Sequence, residues 1–137
     1  MIKLSLPHLA GKEKEYVNQA IDSTWIVPLG PWVDEFEHRL ERFLHAPDVV
    51  ALSAGTAAIH LGLVMAGVKP GDEVICQDLT FSASCNPITY LGAKPVFVDS
   101  ESDTWNMDPT LLETAIRERY AATGRYPAAI IPVTRYG

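Results

Sequence analysis

Short, almost wholly apolar runs recur along this chain, each separated from the next by a helix-length stretch, and no other feature limits the fold as tightly. Residues 49–52, 73–76, 95–99 and 128–133 read as strands. They are too apolar to face water on either side, so the pattern predicts an α/β fold: a mostly parallel sheet with helices on both faces. Residues 56–66, 82–91 and 108–120 read as the intervening helices, the last opening on Asp108 as an acidic cap with Pro109 at its first position. Ahead of the first strand, Tyr16, Val17, Ala20 and Ile21 recur at helical spacing within residues 11–21, and Ser23 and Thr24 end that pattern. Residues 25–31 form a proline-stiffened loop. Val33, Phe36, Leu40, Phe43 and Leu44 then lay an apolar stripe down a second helix ending near residues 45–47, and the stripe is expected to pack into the core.

With 137 residues, 47% of them apolar, the chain has enough for one domain-sized core, and nothing in its composition suggests two. A formal charge of −6, with both signs mixed along the sequence, leaves no basic stripe for a phosphodiester backbone. Nucleic acid is therefore not an expected partner, whereas a small phosphorylated ligand held by helix amides is compatible. Residues 1–8 lack the apolar core and cleavage site of a secretory leader, and no run approaches the ~20 apolar residues that span a bilayer. No membrane partner and a cytoplasmic location are expected. The two cysteines, Cys76 and Cys85, match no metal-ligand spacing and read as buried free thiols. No metal site is expected.

Ligands of open α/β sheets gather where strands turn into helices at their carboxyl ends. The first such turn is Ser53, Ala54, Gly55, Thr56 and Ala57. Gly55 permits close backbone approach, and Thr56 adds a hydroxyl beside the free amides of a first helical turn, an arrangement suited to phosphate. It carries one glycine, so it is neither a dinucleotide fingerprint nor a P-loop, and taken alone such a turn is more often merely a tight strand-to-helix connection. The second turn presents Phe81 among small hydroxyl residues, either to stack on a planar heterocycle or to cover the sheet edge while Ser82 caps a helix. The third, residues 99–108, is acidic but lacks the spacing and glycine of a calcium loop, and reads as a solvated loop with a helix cap. The fourth begins at Thr134. His60 reads as a packed helix residue, and no serine, histidine and carboxylate set suggests a nucleophilic triad.

In order and spacing, Trp25-Ile26, Gly30-Pro31-Trp32-Val33, Phe36-Glu37, Ala54-Gly55-Thr56-Ala57-Ala58, Gly71-Asp72-Glu73-Val74-Ile75, Thr80-Phe81, Asn86, Gly92-Ala93-Lys94-Pro95-Val96-Phe97-Val98-Asp99 and Tyr136-Gly137 resemble the DegT-type sugar aminotransferases. The match spans nearly the whole chain. It implies the N-terminal part, about half, of a single large domain of the fold type I pyridoxal-phosphate transferases, with the remainder absent. The family is expected to use pyridoxal 5′-phosphate to move an amino group, usually from glutamate, to a nucleotide-linked keto-sugar in amino-sugar and polysaccharide biosynthesis, as a homodimer. Carried over residue by residue, the resemblance implies that Gly55, Thr56 and Ala57 hold the cofactor phosphate and that Phe81 stacks on its ring. It further implies that Trp25 and Ile26 lie near a sugar-nucleotide site shared between subunits, and that Asn86 supports the cofactor pocket. The chain departs from the family pattern at Ala54, where serine is usual, and at Thr134, where histidine is common. The aspartate that pairs with the pyridine nitrogen and the lysine that carries the cofactor are expected beyond residue 137, so no catalytic residue is assigned, and Lys3, Lys12, Lys14, Lys69 and Lys94 do not substitute. A non-catalytic phosphate-binding module and a self-associating structural remnant are the rival readings.

Overall fold

The computed structural model describes residues 6–134, so Lys3, Tyr136 and Gly137 lie outside the described residues, as does most of the fourth turn. The chain divides into two compact units between Ala51 and Leu52.

The first unit carries α1 (Glu13–Asp22) and α2 (Pro31–Leu44). Glu13 turns back at the start of α1, its carboxylate accepting the N–H groups of Ala10 and Gly11 at 2.5 and 2.9 Å. Pro31 opens α2, and His45 closes it in the left-handed region at φ +53°, its N–H donating to the Glu41 carbonyl. The stripe on α2 is not core as expected: Phe36, Phe43 and Leu44 are 53%, 78% and 58% exposed, and no residue among 6–51 is buried. Two helices share one seam, where the Tyr16 and Trp32 rings meet at 5.5 Å, and a stripe this wide needs more cover than one neighbouring helix gives.

Residues 49–52 are likewise not a strand. Strand character needs a ladder partner, and no described segment pairs with them. Instead Ala51 N–H donates to Glu37 Oε1 at 2.7 Å and Val49 N–H to Glu41 Oε1 at 3.4 Å, two carboxylates one turn apart on α2.

The second unit is a parallel three-stranded sheet, β1 (Glu73–Gln77) between β2 (Lys94–Val98) and β3 (Ala129–Ile131). Period-two alternation along β1 sends its residues to opposite faces. Val74 and Cys76 meet Leu63 and Ile59 of α3 (Gly55–Met65) and Ile88 of α4 (Asn86–Tyr90), with Val68 and Ala93 from the adjoining loops. Ile75 meets Val98, Met107 and, on α5 (Pro109–Thr123), Leu112, Ala115 and Ile116. This is the partial α/β fold expected, with helices on both faces of a parallel sheet. Asp108 caps α5 as its sequence announces, accepting from Thr110 and Leu111 N–H at 2.7 and 3.1 Å. At the opposite end of the sheet Arg119 grips Glu73 with two bonds of 2.9 and 2.7 Å.

The helix expected over residues 82–91 is broken in two. Ser82–Ser84 is a single 3-10 turn and α4 begins only at Asn86. Pro87 offers no amide to an α-helical bond across this stretch, so the chain passes it with shorter steps, Cys85 N–H to Ser82 O and Ile88 N–H to Cys85 O.

Candidate functional site

Because α3 leads through a turn into β1 and lies antiparallel to it, the N-terminus of α3 stands at the carboxyl end of the sheet. Ala54 precedes it in an extended conformation, φ −161° and ψ 157°, and contributes no side-chain cap. The first bonded amide is Ala58, which donates to Ala54 O at 3.1 Å. The N–H groups of Gly55, Thr56 and Ala57 therefore have no acceptor among the described residues, no acidic side chain sits in the first turn, and a Cβ built on Gly55 would meet nothing within 4 Å. Open amides with the positive end of the helix dipole behind them fit a phosphate. The Thr56 side chain is half-buried beside them.

Phe81 follows β1 at the same end of the sheet, next to the 3-10 turn and α4, both of which pack against α3. Its ring is 79% exposed, so it does not cover the sheet edge; it presents a bare aromatic face. The structure thus brings Gly55, Thr56, Ala57 and Phe81 to one end of one unit. Asn86 is half-buried at the start of α4. Lys69 and Lys94 stand at the other end, before β1 and at the first residue of β2, so within the described residues of this unit no lysine occupies the carboxyl edge. His60 is half-buried against Tyr90, edge to face at 5.8 Å.

A residue that sequence reasoning missed organises the α5 side of this edge. Gln77, the last of β1, is fully buried. Its Nε2 donates to Ser100 Oγ at 2.7 Å and to the Trp105 carbonyl at 2.8 Å, and its Oε1 accepts Val133 N–H at 3.3 Å. One amide therefore joins the ends of all three strands. Trp105 is held at φ +63°, a left-handed conformation unfavourable for a bulky side chain, with its carbonyl fixed by that bond. The acidic loop around it closes on itself: Glu101 accepts Asp103 and Thr104 N–H at 2.6 and 2.9 Å, and the Thr104 hydroxyl also donates to Glu101. Its signal, a polar residue ending an apolar strand, is indistinguishable in sequence from the start of a loop.

Of the thiols, Cys76 is buried and its pKa is pushed up to about 11 by burial first, with Cys85 and Asp78 adding to the rise. Cys85 is only half-buried rather than buried as expected, because it falls in the break between the 3-10 turn and α4. Cys76 is therefore not poised as a nucleophile.

Trp25 and Ile26 belong to the first unit, where with Tyr16, Trp32, Phe36 and Arg39 they line an open, mainly apolar cavity of about 610 Å³. The indole N–H of Trp25 donates to Leu29 O at 2.7 Å, laying its ring over Gly30 so closely that a Cβ there would overlap it. Gly30 also has φ +117°, so glycine is required twice over.

Comparison with known proteins converges on one group. Residues 7–137 match the model of the DegT/DnrJ/EryC1/StrS aminotransferase family. The chain is 50% identical over 136 residues to EpsN of Bacillus subtilis (strain 168), covering 99% of this chain and 35% of that protein. It is 44% identical over 109 residues to the UDP-2-acetamido-2-deoxy-3-oxo-D-glucuronate aminotransferase of Pseudomonas aeruginosa, covering 80% of this chain and 28% of that one. The crystal structure of NtdA from Bacillus subtilis, with its cofactor PMP bound, superposes with a TM-score of 0.73 at 32% identity over 90% of this chain and 27% of that one. The chain thus spans about a third of the length of the curated relatives it matches.

Proposed function

The chain belongs to the DegT/DnrJ/EryC1/StrS aminotransferase family, and from that premise we propose that it is the N-terminal part of a single large domain of a pyridoxal-phosphate-dependent enzyme that aminates a nucleotide-linked keto-sugar. The observation that carries this reading is the carboxyl edge of the sheet, where three unbonded amides at Gly55, Thr56 and Ala57 share one end of the fold with the exposed ring of Phe81. The amides and the Thr56 hydroxyl hold the phosphate; Phe81 lies against the ring. When bound, the cofactor supplies the electron sink that amino transfer requires. Trp25 and Ile26, lining the cavity of the first unit, contribute to the nucleotide-sugar site. Glutamate is the proposed donor, a homodimer the proposed assembly, and the cytoplasm the proposed location. Related proteins named for sugar-nucleotide amination support this assignment.

A phosphate on helix amides does not by itself make an aminotransferase, because anchoring and proton transfer need a lysine at the ring, and the described residues of this unit place none there. The 137-residue polypeptide is therefore expected not to transaminate. The deciding experiment is the intact mass of the native protein from its source cells, followed by assay of that protein with pyridoxal phosphate, glutamate and a keto-sugar nucleotide. A mass well above 15.0 kDa with turnover supports the proposal. A native mass of 15.0 kDa leaves a phosphate-binding module or a remnant, and turnover by the 137-residue chain alone overturns the division of labour proposed here.

A further inference from the structure

Phe81 poses a physical problem: a ring that is 79% exposed has almost no packing to hold it, yet a stacking surface must be fixed before its ligand arrives. Its placement must come from the backbone beneath it. Thr80 Oγ1 and Ser84 Oγ lie 2.7 Å apart, one hydroxyl donating to the other, and close a short loop around residues 81–83. Inside that loop Ser84 N–H donates to the Phe81 carbonyl at 2.9 Å, and on the other side Thr80 N–H donates to Asp78 O at 2.8 Å. Phe81 is thereby set at φ −72° and ψ 141°. Ser84 is buried, at 9% exposure, so its hydroxyl is shielded from competing water and the bridge is hard to replace.

We propose that Thr80 and Ser84 are positioning residues: their hydroxyl bridge clamps the turn that aims Phe81 and so preorganises the face on which the cofactor ring stacks. The inference rests on the stacking role given to Phe81 above. It concerns geometry rather than stability, and the two separate experimentally.

The test titrates pyridoxal 5′-phosphate into the native-length protein, reading affinity by fluorescence and ring environment by visible circular dichroism. Thr80→Val and Ser84→Ala are each expected to weaken binding about tenfold and to diminish the dichroic band, the loss of one shielded hydrogen bond. Thr80→Ser, which keeps the hydroxyl, is expected to stay within about twofold of wild type. The Thr80→Val/Ser84→Ala double variant is expected to be no weaker than either single one, because both remove the same bridge. A Thr80→Val protein that melts earlier but retains wild-type affinity and dichroism overturns the proposal. Phe81→Ala separates the two levels. If it shifts both signals while Thr80→Val shifts neither, the clamp alone fails; if it also shifts neither, the stacking role fails and takes the clamp with it.

Discussion

Gln77 contributes one side chain but three constraints, because its amide ties Ser100, Trp105 and Val133 from positions 23, 28 and 56 residues away in the chain. Gln77→Leu fills a similar volume but strands a hydroxyl, a carbonyl and an N–H, and it is expected to cost about 2–4 kcal/mol, seen as a lower denaturant midpoint. Val133 N–H should lose its exchange protection in the same variant; an unchanged midpoint and unchanged protection would show that the bridge is dispensable. Such a residue cannot be read from sequence, since its importance lies in partners that only the sheet brings together. Phe81 is the opposite case. Its neighbours in sequence marked it as a ring at a strand end, leaving two roles open, and its exposure removes the edge-covering one.

The start of helix α5 was readable to the residue because both of its signals, the Asp108 cap and Pro109, act within the chain's nearest neighbours, whereas its end runs to Thr123, three residues past the expected 120. The stretch over residues 82–91 was not, since its composition favours a helix and one proline amide decides otherwise. Residues 49–52 carry every local mark of a strand, yet pairing is a property of two segments and the sequence of one cannot supply it. Between elements, the Glu73–Arg119 pair joins the start of β1 to α5, with side chains 17% and 35% exposed. The hydrogen bond from Arg119 is the main reason the Glu73 carboxyl titrates below the ordinary value of 4.5. A depressed carboxylate stabilises the fold above its unfolded pKa, and that contribution disappears as pH falls through the folded one. Glu73→Gln is therefore expected to cost about 1–2 kcal/mol at pH 7, partly screened by water, in urea melts. The gap between variant and wild type should close as the pH drops below about 4.5, and a gap independent of pH would refute the ion pair as its source.

The molecule as a whole leaves much apolar surface in water. No residue among 6–51 is buried, and α3, apolar on all sides, leaves Leu61, Val64 and Met65 41%, 50% and 79% exposed. Composition announced a core and the sheet has one; composition gives no sign that the helices of the first unit stay uncovered, because a stripe looks the same whether or not something lies on it. The 137-residue polypeptide is expected to bind a hydrophobic dye and to sediment above its 15.0 kDa monomer mass at tens of micromolar, unlike proteins with small apolar patches. A concentration-independent monomer that leaves the dye dark would contradict this. Glu37 and Glu41 already hold part of the chain that follows α2. They occupy the amides of Ala51 and Val49, so a strand that pairs with this segment through those amides must first displace a carboxylate. Two carboxylates thus stand in for the ladder partner that residues 49 and 51 lack among the described residues.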